Sequence, residues 1–165
     1  VIAISCGVMI AALLFVRDVA AMTRLQDISQ QQKWGIGDLL PEQRVFRISG
    51  PLFFAAADRI FAELLHHSKG QLQIVVMMDA VSVLDAGGLS ALEKFLSHCE
   101  KQAIQLYLVE LQFQPLKTLA KAQIKPVDGV LSYHSNLHDA LMLMRQHEVT
   151  RFGVQQEPTL DLAGL

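Results

Sequence analysis

An uninterrupted apolar run occupies the first part of the chain. Residues 1–16 (VIAISCGVMIAALLFV) contain no charged side chain. As a helix this run is about 24 Å long at ~1.5 Å per residue, which approaches the ~30 Å hydrocarbon core of a bilayer. Arg17, Arg24 and Lys33 follow it, and cationic residues next to a span mark its cytoplasmic side. We therefore expect residues 1–24 to be the end of a membrane-spanning helix and its cytoplasmic exit; the alternative is a buried core helix of a soluble protein.

Polar and helix-breaking residues replace the apolar pattern between residues 25 and 43. This segment contains three consecutive glutamines, two glycines and Pro41, so we predict a linker over 25–43. The folded domain is predicted over 44–149. Residues 150–165 have no hydrophobic periodicity, and we expect them to form a flexible tail.

From Arg44 onward, the period of the hydrophobic positions changes repeatedly between that of a strand and that of a helix. The run LQIVVMM is apolar enough to predict a central strand that is buried on both faces. Gly50 and Pro51 predict a turn, so the first two strands of the domain are expected to form a hairpin. The predicted strands are 44–49, 52–54, 72–78, 104–109 and 127–131.

Apolar residues at helical spacing predict about four helices in the domain. The first ends near His67, the second begins at Ala86, the third covers 114–124 and the last is capped by Asn136. Strands and helices therefore alternate along the chain. This order predicts the α/β class, with one mixed β-sheet flanked by helices.

The candidate site is the loop that follows the central strand. Ligands of such sheets bind where a strand gives way to a helix, and here the chain reads DAVSVLDAGGL over 79–89. Asp85 is placed to cap the next helix, and the adjacent glycines permit close approach to the free N–H groups, as in an anion cradle. The alternative is an ordinary capping residue with glycines that pack against the sheet. The candidate residues for contact with an anion or a partner are Asp79, Ser82, Asp85, Gly87, Gly88 and Leu89.

A row of lysines is the most distinctive surface feature. Lys117, Lys121 and Lys125 recur every four residues, so they are expected on one face of the third helix. Residues 113–151 carry five Lys and Arg against three acidic residues. We expect this face to dock an acidic cytosolic protein or anionic headgroups; the alternative is a solvated helix face.

Composition and motifs exclude several classes of function. The chain has 14 Lys and Arg against 16 Asp and Glu, a formal net charge of -2, without the cationic excess that nucleic-acid binding requires. Cys6 and Cys99 match no disulfide or zinc pattern, and the histidines lack a convergent third ligand. The sequence contains neither a nucleophile elbow nor a P-loop. We therefore predict no enzyme activity, no catalytic residue, no cofactor, no metal site and no nucleic-acid partner.

The span 44–148 resembles a STAS domain, the fold shared by anti-sigma-factor antagonists and the cytoplasmic tails of SulP anion transporters. The run DAVSVLDAGGLSALEKF is similar to the signature loop and helix of that family. The earlier run FVRDVAAMTR is similar to the end of the last membrane span of a SulP permease. Together the two resemblances cover nearly the whole chain.

The loop departs from that of the free-standing antagonists. Their loop reads Asp-Ser-Ser/Thr-Gly-Leu, and its second hydroxyl residue is the phosphorylation switch. Aligned through Asp85, Gly88 and Leu89, this chain has Ala86 and Gly87 in place of the hydroxyl residues. The resemblance therefore implies that the phosphate acceptor is missing.

The resemblance implies a regulatory and protein-interaction module of a secondary anion transporter in the bacterial inner membrane. The module would lie on the cytoplasmic side and support assembly or activity of a transporter for sulfate, bicarbonate or C4-dicarboxylates. Its expected partners are its own transmembrane domain, the membrane, an acidic cytosolic protein and a second copy of the chain. The alternative is a free-standing regulator that resembles an anti-sigma-factor antagonist and carries a hydrophobic N-terminal segment.

Overall fold

The computed structural model describes residues 1–153, and the predicted tail 150–165 lies mostly outside this range. Five strands and five α-helices follow one another in the described part. They are α1 (Ile2–Ala21), β1 (Arg24–Asp27), β2 (Gln43–Ser49), α2 (Phe54–His67), β3 (Gln73–Ala80), α3 (Ala86–Lys101), β4 (Gln105–Val109), α4 (Phe113–Lys121), β5 (Leu131–His134) and α5 (Leu137–Gly153).

The five strands form one mixed sheet in the order β1-β2-β3-β4-β5. Strands β2 to β5 are parallel, and β1 pairs antiparallel with β2, with Arg24 opposite Ser49. The carboxyl ends of the four parallel strands therefore meet at one edge of the sheet, which we call the carboxyl edge. Because β1 runs the other way, it begins at this same edge. The predicted α/β class with a mixed sheet is confirmed.

Apolar side chains cover the sheet on both faces. Helices α2, α3 and α4 pack on one face through residues such as Ile60, Phe95 and Leu119. Helix α5 and the segment between β1 and β2 cover the other face, where Leu141 and Ile36 are buried. Strand β3 contributes to both cores, because its consecutive side chains alternate between the two faces.

The segment predicted as a linker contributes to the folded unit. Arg24–Asp27 is β1, and Ile28 and Ile36 are buried on the face that α5 covers. The linker prediction is wrong over these residues, because a four-residue edge strand has too few positions to show a period and is stabilised by its pairing with β2. The limits of the domain as a whole stay a prediction.

The hairpin predicted around Gly50 and Pro51 is also wrong. Leu52 forms a single parallel bridge with Leu84, and α2 begins at Phe54. The antiparallel partner of β2 is β1 instead. Three apolar residues after a turn are compatible with a strand or with a buried connection, and only the position of the chain that follows β3 decides between them.

Two predicted boundaries are displaced. Residues 127–131 form a turn closed by a bridge between its ends, and β5 follows at Leu131–His134. Helix α4 ends at Lys121, because Gln123 adopts a left-handed φ of 58° that terminates the helix. The last helix is capped as predicted, since the N–H of Asp139 donates to Oδ1 of Asn136 at 2.9 Å.

Candidate functional site

The loop between β3 and α3, residues 81–85, is called the signature loop below. Asp85 is the N-cap of α3, and its Oδ1 accepts a hydrogen bond from the N–H of Gly88 at 2.8 Å. The N–H of Leu89 donates to the carbonyl of Asp85 at 2.8 Å. The capping role predicted for Asp85 is confirmed, because its carboxylate accepts a hydrogen bond from the first turn of α3.

The signature loop is held from the β2 side by Leu52. The N–H of Leu52 donates to the carbonyl of Val83 at 2.8 Å, and the N–H of Asp85 donates to the carbonyl of Leu52 at 3.3 Å. The chain that follows β2 thus pairs with the loop over a short parallel stretch. This pairing fixes the loop relative to the start of α2.

The signature loop is held from the other side by α4. Gln114 pairs with the backbone of Leu84 through both ends of its amide: Oε1 accepts from the N–H at 2.8 Å, and Nε2 donates to the carbonyl at 3.2 Å. The hydroxyl of Thr118 donates to the same carbonyl at 3.2 Å. Sequence reasoning missed both residues, because no local pattern links the first turns of α4 to a loop 30 positions earlier.

The space available to a side chain differs between the two glycines of the site. A Cβ on Gly88 would lie 2.2 Å from the carbonyl oxygen of Leu52 and 2.7 Å from a methyl of Leu84. A Cβ on Gly87 would lie 3.3 Å from Oδ1 of Asp85 and 3.3 Å from the nitrogen of Phe54. Gly88 is therefore required by packing against the β2 connection, whereas Gly87 is only crowded.

Asp79 does not converge with Asp85. Its carboxylate forms a two-point ion pair with Arg47, with distances of 2.9 Å to Nε and 2.8 Å to Nη2. This hydrogen bond raises the pKa of the Arg47 guanidinium above its ordinary value. The guanidinium carbon also lies 5.2 Å from the ring centre of Trp34, which is partly buried and packs against the core on the α5 side. Asp79 thus faces the side of the sheet opposite α3.

Ser82 is exposed in the signature loop, and Leu89 is partly buried in the first turn of α3. Lys117, Lys121 and Lys125 are all exposed. Lys117 and Lys121 share a face of α4, and Nζ of Lys117 lies 5.9 Å from the ring centre of Phe113. Lys125 lies beyond the end of α4, so the prediction of one helical face for all three lysines is wrong.

A groove lies at the opposite edge of the sheet, where the parallel strands begin. It has a volume of about 720 Å³ and is lined by residues that include Gln43, Gln73 and Gln105 at the starts of β2, β3 and β4. Nε2 of Gln43 donates to Gln73, whose own Nε2 donates to the hydroxyl of Tyr107 at 3.1 Å. Burial raises the pKa of Tyr107 to about 12, so this hydroxyl stays neutral at physiological pH. Within residues 1–153, no group of three or more His, Cys, Asp and Glu side chains could hold a metal ion.

Helix α1 differs from every other helix in the described chain. It has 20 residues, a mean hydropathy of 2.1 in its most apolar window and no buried residue. By length and composition it is able to cross a membrane.

Comparisons with known proteins agree with this architecture. The family model for the STAS domain matches residues 36–140. YvdB, a candidate sulfate transporter of Bacillus subtilis (strain 168), is 25% identical over 122 residues, which are 73% of this chain and 23% of YvdB. The chain therefore spans about a quarter of the length of this relative.

Solved structures show the same fold. The murine Slc26a9 anion transporter in its inward-facing state matches with a TM-score of 0.66 and 16% identity over 87% of this chain and 25% of that chain. A sulfate transporter family protein from Wolinella succinogenes matches with a TM-score of 0.58 and 22% identity over 73% of this chain and 97% of its own. The unphosphorylated anti-sigma factor antagonist SpoIIAA matches with a TM-score of 0.57 and 16% identity over 74% and 97% of the two chains. The chain belongs to the STAS domain family.

Proposed function

We propose that this chain is the cytoplasmic STAS domain of a SulP-type secondary anion transporter, together with the end of the last membrane-spanning helix. The observation that carries the proposal is the direct attachment of an apolar, unburied 20-residue helix to a STAS fold. The match to Slc26a9 covers 87% of the chain, against 74% for SpoIIAA. This difference is expected if α1 also has a counterpart in the transporter.

The proposed role is regulation and assembly of the transporter rather than catalysis. The transported anion would be of the sulfate, bicarbonate or C4-dicarboxylate class, as in the dicarboxylate transporter of enterobacteria that the sequence resembles. Substrate would bind among membrane helices that are not part of this chain. The domain would lie on the cytoplasmic side of the bacterial inner membrane, because Arg17, near the end of α1, and Arg24, after it, follow the apolar run of residues 1–16.

The alternative, a free-standing phosphorylated antagonist, is less well supported. Ala86 and Gly87 occupy the positions where that class has hydroxyl residues. The exposed Ser82 and Ser90 lie on either side of those positions. Mass spectrometry of the protein from cells should find no stoichiometric phosphate on either serine, and such a phosphate would favour the alternative.

We also propose that the lysines of α4 and its C-terminal connection dock an acidic cytosolic protein. None of Lys117, Lys121 and Lys125 forms an ion pair with a side chain that the structure describes. Their charges are therefore free to attract an acidic surface. A second copy of the chain remains a further proposed partner.

Topology labelling tests the location of the domain. The chain would carry Asp128→Cys, which introduces an exposed thiol in the turn before β5, away from the carboxyl edge, and Cys6→Ala, which removes the exposed native thiol; Cys99 is buried. A membrane-impermeant maleimide should label this thiol only after the inner membrane of spheroplasts has been permeabilised. Labelling of intact spheroplasts would contradict the cytoplasmic location. Recovery of the chain in the soluble fraction would contradict the membrane span.

A further inference from the structure

The end of α1 is attached to the carboxyl edge of the sheet. The hydroxyl of Thr23 donates to the carbonyl of Pro51, in the turn between β2 and α2, at 2.6 Å. Nη2 of Arg59 donates to the carbonyls of Ala20 and Thr23 at 3.3 and 2.5 Å. No side chain of α1 is buried. The helix therefore projects from the domain, and its junction lies where the parallel strands end.

Exposed apolar side chains lie at the same edge. Phe54 begins α2, Val83 belongs to the signature loop and Phe113 begins α4, so the three residues follow the ends of β2, β3 and β4. Their exposed fractions are 68%, 39% and 79%. Phe54 also has a left-handed φ of 45°, which is costly for a non-glycine residue. Phe54 has one aromatic neighbour, Phe53, whose ring centre lies 5.9 Å from its own, but this contact leaves most of the Phe54 side chain exposed.

The carboxylates in the turns at this edge already have partners. Each accepts a hydrogen bond from the protein, and the charge of Asp79 is balanced by its ion pair with Arg47. The partners are Arg47 for Asp79, the N–H of Gly88 for Asp85, and the N–H of Leu137 for Glu110. Lys117 stands beside the ring of Phe113. Exposed phenylalanines next to a cation suit the boundary between anionic headgroups and acyl chains.

We propose that the carboxyl edge, through Phe54, Val83 and Phe113, contacts the surface of the bilayer that α1 spans. The inference rests on the proposed membrane span, because only that span brings a bilayer to this edge. It follows that the signature loop faces the membrane, whereas Lys121 and Lys125, farther along the chain than Lys117, lie to the side of the contact. Exposed apolar patches on soluble domains mark interaction surfaces. Because α1 leaves the domain at this edge, the bilayer is the surface that these residues would contact.

Tryptophan quenching in vesicles tests the contact. The full chain in a Trp34→Phe background would be reconstituted into vesicles of phosphatidylcholine and phosphatidylglycerol with brominated acyl chains. Single tryptophans would be placed by Phe54→Trp and Phe113→Trp at the edge, by Val8→Trp in α1, and by Val127→Trp as the control. Val127 is 53% exposed and lies between α4 and β5, at the opposite edge of the sheet. Circular dichroism would show that each variant is folded.

The expected result is loss of fluorescence and a blue shift for the tryptophans at positions 8, 54 and 113, with no change at 127. Quenching at position 8 without quenching at 54 and 113 would overturn the edge contact and leave the membrane span intact. No quenching at position 8 would overturn the proposed function itself. Equal quenching at 127 would overturn the contact as non-specific adsorption. Acrylamide quenching in detergent would be measured at several protein concentrations. If the tryptophans at positions 54 and 113 become less accessible to acrylamide as the concentration rises, the edge contacts a second copy of the chain, and the bilayer contact is overturned.

Discussion

At the scale of single residues, position 88 is the one in the site that most strictly requires glycine. Its missing side chain allows the carbonyl of Leu52 to approach α3, and that approach brings the signature loop against the connection after β2. A sequence motif with adjacent glycines is equally compatible with an anion cradle. The 2.2 Å distance from a Cβ on Gly88 to the oxygen of Leu52 shows that packing alone accounts for this glycine.

Replacing Gly88 by Ala should destabilise the fold by about 1–3 kcal/mol, because backbone atoms must move to relieve the overlap. Gly87→Ala is the matched control in the same helical turn. Its nearest contacts at 3.3 Å are relieved by small shifts, and alanine favours the helix by about 0.5–1 kcal/mol. Denaturant unfolding of the full chain in detergent micelles measures both variants. Equal losses for the two variants would contradict the packing explanation.

Asp79 and Asp85 show what a residue's neighbours in sequence do and do not reveal. The cap made by Asp85 depends on an N–H three positions away, so sequence is sufficient to predict it. The partner of Asp79 is Arg47, 32 positions earlier on the adjacent strand. Only the register of β2 against β3 places the two side chains together.

At the scale of elements, α4 has two separate roles. Its buried side packs Leu119 into the core, and its first turns hold the signature loop through Gln114 and Thr118. Its exposed side carries Lys117 and Lys121. The helix thus connects the candidate loop with the candidate docking surface.

Gln114→Ala should free the signature loop on one side, because the N–H of Leu84 loses its acceptor. The expected loss of stability is about 1–2 kcal/mol, with faster hydrogen exchange of the Leu84 amide. Gln114→Glu is the control, since it keeps an acceptor for that N–H and should retain most of the protection. Unchanged exchange in the alanine variant would mean that Leu52 and Thr118 hold the loop without Gln114.

Replacing Lys117, Lys121 and Lys125 by Glu should slow association with an acidic partner and flatten its salt dependence. The melting temperature should change little, because exposed charges usually alter stability by less than ~0.5 kcal/mol each. Pull-downs of cytosolic proteins with the wild-type and variant chains would compare the captured proteins and their dependence on salt.

The control for charge is a variant with Lys69, Lys94 and Lys101 replaced by Glu. These lysines are also exposed, but Lys69 follows the end of α2, and Lys94 and Lys101 lie on α3. The change in net charge is the same for both triple variants. This variant should capture the same proteins as the wild type. If both triple variants lose the same proteins, or neither loses any, the lysines of α4 are no more than a solvated surface.

At the scale of the whole molecule, α1 and the STAS fold are physically distinct units joined at a small contact. The described domain has its own cores on both faces of the sheet, and α1 contributes no buried side chain. The junction consists mainly of hydrogen bonds from Thr23 and Arg59. Folding of the domain therefore does not depend on burial of α1.

Removal of residues 1–21 should yield a chain that is soluble without detergent and unfolds cooperatively. The cut precedes Thr23, because Thr23 is buried and Arg24 begins β1. Size-exclusion chromatography and thermal unfolding would measure the result. Removal of residues 1–27, which also deletes β1, is the contrasting variant and should expose the edge of β2 and lower stability. Aggregation of the shorter truncation would show that α1 is part of the folded core.

The sequence by itself determined the features that depend on neighbouring residues. The apolar run of α1, the central strand β3, the amphipathic helices and the caps at Asp85 and Asn136 all follow from local periodicity and local hydrogen bonding. The sheet class followed from the order of these elements.

The tertiary structure decided the features that depend on residues far apart in sequence. It paired β1 with β2, gave Asp79 its partner, brought Gln114 to the signature loop and placed Phe54 and Phe113 at one edge beside the end of α1. A four-residue strand or a single exposed phenylalanine carries no periodic signal. The physical reason is that these features depend on strand pairing and packing between distant parts of the chain. Such contacts form only when the parallel strands align and their carboxyl ends meet.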